Sequence, residues 1–143
     1  MKTMTFTWAS VLSLVLLNAA GTAVAANLDL TKLPPAATKQ GVTYDSDIKP
    51  LLAKNCVKCH GPEKQKAGIR FDSIESTLKG SRKRDGSYVK ILVPGEGAKS
   101  TILHSVARLF PSEDKNMPPK GKAEPLSQEQ IALMRAWIDQ GAK

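Results

Sequence analysis

The chain's only two cysteines stand three positions apart and are followed at once by a histidine, in Cys56-Val57-Lys58-Cys59-His60. Two cysteines cannot staple a disulfide-dense secreted scaffold, and a bridge across two intervening residues is strained and closes almost no loop. The fold must be held together in another way, and the composition makes that demanding. The first 25 residues include 16 apolar ones, which leaves 43 among the remaining 118. A single domain this poor in apolar side chains usually recruits a metal, a cofactor or a staple to complete its core.

Each reading of the motif makes its own demand. A redox-active Cys-x-x-Cys needs a strand leading into a helix, and no strand pattern precedes Cys56. A zinc site would have to recruit both cysteines with His60 and His104, and the neighbours Cys59 and His60 do not easily turn into one tetrahedron. Haem attachment uses all three residues at this spacing: each thiol adds to a vinyl group on one haem edge, and the adjacent imidazole reaches the iron from the proximal side. The candidate donors on the opposite side are His104, Met117 and Met134. Met134 lies on an apolar helical stripe, where methionine fills core space. Met117 sits in Asn116-Met117-Pro118-Pro119, where the prolines hold it out of helical geometry in a stiff loop suited to presenting a thioether. Met117 is therefore the expected distal ligand, with His104 or an open position as the alternatives. A His/Met pair raises the reduction potential relative to two histidines.

Residues 1–25 read as a signal peptide. Lys2 precedes the apolar run from Trp8 to Leu17, which is short for a membrane span, and small-x-small cleavage patterns lie at Ala23-Val24-Ala25 and Val24-Ala25-Ala26. The competing reading, an uncleaved anchor from Phe6 to Ala26, is interrupted by Ser10, Ser13, Asn18 and Thr22. The expected product is periplasmic or otherwise exported, with no stable membrane insertion after cleavage. Residues 26–43, with Pro34-Pro35, read as a flexible connector, and residues 44–143 as the folded domain.

Within the domain, Asp47 is the expected cap of a first helix that carries Pro50 in its first turn and runs into Cys56. A short helix is expected near Asp72 to Leu78 among loops. Another begins at Ser100 and stops at Phe110-Pro111. The last helix spans Ser127 to about Gln140, with a Ser127/Gln130 capping box, Leu126 and Ile131 at staple positions, and Gly141 as its stop. No strand alternation is evident, so the predicted class is all-α with long loops.

These residues together resemble a monohaem class I cytochrome c, and more narrowly the planctomycete-type cytochrome c domain, over about Tyr44 to Gly141. The likeness is carried by Asp47-Ile48-Lys49-Pro50-Leu51-Leu52, Asn55 to Pro62, Gly68 to Asp72, Val93-Pro94-Gly95, Ser100 to Leu103, Met117-Pro118-Pro119 and Ala136-Trp137-Ile138. The resemblance implies three to four helices around one covalently bound haem c, with the haem-binding and C-terminal helices crossing beside it. It implies a one-electron carrier, not an enzyme, working as a monomer. The alternatives are a haem sensor or peroxidase-like enzyme with a displaceable sixth ligand, and a docking subunit of a larger redox complex. Arg70 is a candidate contact for a haem propionate, which its charged fork would suit. Tyr44 and Trp137 are expected in the core or against the porphyrin.

The formal charge is +8, and +7 without Lys2. Lys54, Lys58, Lys64 and Lys66 flank the haem motif, and Lys115, Lys120 and Lys122 flank the methionine loop, which predicts steering of an acidic redox partner protein. Ser81-Arg82-Lys83-Arg84 is a separate basic run, read as a solvated loop; it lacks the interleaved aromatics of a nucleic-acid site.

Overall fold

In the computed structural model the described residues are 28–143. The signal segment and its cleavage sites lie outside them. Four α-helices are described: α1, Lys49–Asn55; α2, Ile74–Lys79; α3, Thr101–Val106; and α4, Gln128–Asp139. Short 3-10 turns and long loops join them, together with a small antiparallel ladder of β1, Ser81–Arg82, and β2, Tyr88–Val89. The protein is thus mostly helical and compatible with a small cytochrome c-like fold. The two-residue ladder corrects the purely helical expectation; strands this short leave no alternation to read.

α4 organises the core. Ser127 accepts the Gln130 N–H and Gln130 caps the Ser127 N–H in return, closing the expected box. Leu126 and Ile131 are buried as a staple should be, and Ile131, Met134, Trp137 and Ile138 form the buried stripe. Gly141 takes a φ of +100°, the left-handed conformation that ends a helix cheaply only in glycine. α4 packs on α3 and on the wide turn Tyr44–Ile48 that feeds α1. Tyr44 and Trp137 pack with ring centroids 5.9 Å apart, both in the core and neither on the cavity wall described below.

Two boundaries differ from expectation, and α3 starts at the expected Ser100 without a side-chain cap. The first helical segment begins at the Thr43 cap, whose hydroxyl accepts the Ser46 N–H, while Asp47 accepts the Thr43 N–H from inside the turn. α3 stops at Val106, four residues before Phe110, because Arg108 turns left-handed (φ +57°). Ser100 caps α3 by position only: its hydroxyl accepts the Val93 N–H and donates to the Glu96 carbonyl.

The stretch expected as a flexible connector is extended but docked. Ala37 N–H donates to Ala132, Arg135 holds the Pro34 carbonyl at 2.7 Å, and Gln140 bonds both Val42 and Lys39. Leu33 and Val42 are buried in the core. Tyr44 N–H and the Trp137 indole both donate to the Lys143 carbonyl, which ties the start of the first helical segment to the residues after α4.

Candidate functional site

α1 ends where the chemistry begins. Its last turn tightens through Cys56 and Val57 N–H groups that both bond the Leu52 carbonyl, and the next turn closes with Cys59 and His60 N–H on Cys56 O. This hydrogen-bonded turn presents Cys56, Cys59 and His60 to one cavity of about 220 Å³. Burial, then the neighbouring Cys59, pushes the Cys56 thiol up to about 11, so the free side chain stays a neutral thiol.

His60 is buried, and its Nδ1 lies 3.0 Å from the Lys66 carbonyl oxygen. A carbonyl can only accept, so the proton sits on Nδ1 and Nε2 keeps its lone pair. Burial lowers the His60 pKa, opposed by this carbonyl bond, and the neutral ring is the form that can ligate a metal. Phe71 packs edge-on at 5.5 Å, and the Phe71 N–H bonds the His60 carbonyl at 2.8 Å.

The far wall comes from α3 and the loop after it. Met117 lines the same cavity, with Ile102, Ser105 and Val106 of α3 and Met134 of α4. Three anchors fix the methionine loop. Met117 N–H donates to Ser105 O at 2.9 Å; fully buried Asn116 bonds Phe110 N–H at 3.1 Å and Phe110 O at 2.9 Å; and Arg108 holds Pro118 O at 2.9 Å while pairing with Glu113. Asn116 and Arg108 escaped the sequence reading; Asn116 carries a faint signal, an amide directly before the methionine.

Other candidates lie elsewhere. His104 is buried, donates from Nε2 to Ala98 O at 2.8 Å, and is not on the cavity wall. Arg70 is not on that wall either: its fork grips Asp72 at 2.9 and 2.6 Å, a local two-residue chelate that occupies the guanidinium. The cations on the wall are instead Lys54, Lys58 and Lys122, with no acidic residue among the lining side chains.

The donor set fits a c-type haem. Two thiols on one turn, an imidazole with its tautomer fixed and a thioether share one largely apolar space, and that space is far larger than the about 10–15 Å³ a single water needs. The lysine-only charge at its rim suits a group bearing carboxylates. Among the described residues, no cluster of three or more His, Cys, Asp or Glu could hold a bare metal ion, and no helix is long and apolar enough to cross a membrane.

A family model described as planctomycete cytochrome C matches residues 56–121, a span that contains Cys56, Cys59, His60 and Met117. Among solved structures, a chain of Kuenenia stuttgartiensis hydrazine synthase is similar, with 24% identity, a TM-score of 0.45 and coverage of 71% of this chain. This chain spans 16% of that one. No curated protein matches. Residues 56–121 are thus similar to the planctomycete cytochrome c family.

Proposed function

We propose that the protein is an exported, monomeric one-electron carrier, with Cys56 and Cys59 holding haem c through thioethers and His60 and Met117 as the axial ligands. The observation that supports this best is the gathering of all four side chains on one cavity. Haem c, when bound, supplies the ferric–ferrous couple.

The chain's own residues account for the rest. The Lys66 carbonyl, accepting from Nδ1, orients the His60 ring and makes Nε2 a better donor. Ser105, Asn116 and Arg108 hold the Met117 loop in one geometry, so little rearrangement need accompany a change of charge. Ile69, Phe71, Ile102 and Val106 keep water from the cavity. Lys54, Lys58 and Lys122 at the rim offset propionate charge and, with Lys64, Lys66, Lys115 and Lys120, steer an acidic partner protein toward it.

Absorption spectra with and without carbon monoxide test the assignment. Wild type is expected to be low-spin and indifferent to carbon monoxide, and Met117→Ala to bind it. Rapid binding by wild type would instead favour a sensor or peroxidase-like site with a displaceable sixth ligand.

A further inference from the structure

The basic run at Ser81 has no part in the cavity. It forms β1 and the turn of the hairpin, and residues 79–90 carry Lys79, Arg82, Lys83, Arg84 and Lys90 against one acid, Asp85. That acid is used inside the turn, where it accepts from Ser87 N at 2.9 Å and Ser87 Oγ at 2.7 Å. All five cations are exposed, and none is ion-paired among the described residues. Beside them stand Tyr88, 49% exposed, and Val89, 42% exposed, two of the three exposed large apolar residues described.

The register decides what such a tip can meet. Arg82 pairs with Tyr88 and Ser81 with Val89, so Tyr88 shares a face with Arg82 while Val89 projects from the other. A flat protein partner covers one face of a ribbon; an interface that the tip enters surrounds both. Tyrosine beside arginine suits the headgroup level of a bilayer, where a ring can be half-buried and its hydroxyl wet. The hairpin also has a firm base. Ser81 Oγ donates to Ala67 O at 2.6 Å, and Gly68, at φ +64°, lets the chains meet so closely that a Cβ there would fall 2.2 Å from Arg82 O. Ala67 itself lines the cavity.

We propose that this hairpin seats the protein peripherally on anionic phospholipid, with Arg82, Lys83 and Arg84 meeting headgroup phosphates and Tyr88 and Val89 entering the headgroup boundary. The charge complementarity is local: the rim lysines of the cavity have no exposed apolar neighbour of this kind among the described residues. Docking in this way holds one edge of the cavity next to the bilayer.

The test is co-sedimentation of the purified exported protein with vesicles of phosphatidylcholine alone or mixed equally with phosphatidylglycerol. Binding is expected only with phosphatidylglycerol and should weaken as salt rises. The triple variant R82A/K83A/R84A should lose about a hundredfold in partitioning, Y88S a smaller factor, and K115A/K120A/K122A little, with circular dichroism unchanged in each. Equal binding to both vesicle types, or a triple variant that binds like wild type, overturns the proposal. So does tighter binding to soluble polyglutamate than to vesicles of equal charge, which would assign the hairpin to an acidic polypeptide.

Discussion

Asn116 carries no redox chemistry, yet the site depends on it more than on any surface charge. Its amide spends both ends on Phe110, turning residues 110–116 into a closed loop whose exit is Met117. Asn116→Ala leaves the part-buried Phe110 N–H and carbonyl without their partners, and unfolding in urea should show a loss of about 1–2 kcal/mol. Cys56 gives a second residue-scale expectation, with a sign that can be checked. Its thiol titrates at about 11 in the folded chain against a reference of 9.0. Between those values the unfolded chain has released a proton that the native chain still holds, so the stability of the thiol form falls as pH rises through that window. Thermal melts from pH 8 to 11 should show this decline for the chain carrying free thiols, and the contribution should vanish once the sulfur is a thioether.

Elements whose causes are local were legible in the sequence, and those whose causes lie far along the chain were not. α4 was readable because its capping box, staple and stripe all fall within 16 residues, Leu126 to Gly141. The stop of α3 was not, because Arg108 turns left-handed in company with Pro118 and Glu113, contacts invisible to periodicity. The docked strap was misjudged for the same reason: Pro34-Pro35 correctly signals an extended chain, but its partners Ala132, Arg135 and Gln140 are about a hundred residues away. The site divides in the same way. Cys56, Cys59 and His60 announce themselves by spacing, and Met117 by its prolines, whereas Arg70 looked free only because its bond to Asp72 depends on backbone shape.

At the scale of the molecule, the shortage of apolar side chains stands beside a cavity that the proposed haem would fill. A chain unable to form thioethers, Cys56→Ala with Cys59→Ala, keeps the cavity without the group expected to fill it. That cavity, about 220 Å³ and walled largely by apolar side chains, leaves its lining without packing partners, a serious loss for a small domain of marginal stability. Hydrogen exchange of this variant should show α1 and the methionine loop open, while the capping box leaves α4 its residual helicity.

The bonds from Tyr44 N–H and the Trp137 indole to Lys143 O set an order of events during synthesis. A chain that emerges amino end first has Cys56 to His60 in the open while α4 and Lys143 are still to come. Until α4 has been made, Trp137 cannot settle against Tyr44 and the strap has no helix to lie on. Both thiols are thus offered to whatever modifies them on an open chain, and the arrival of α4 and Lys143 shuts the structure over them.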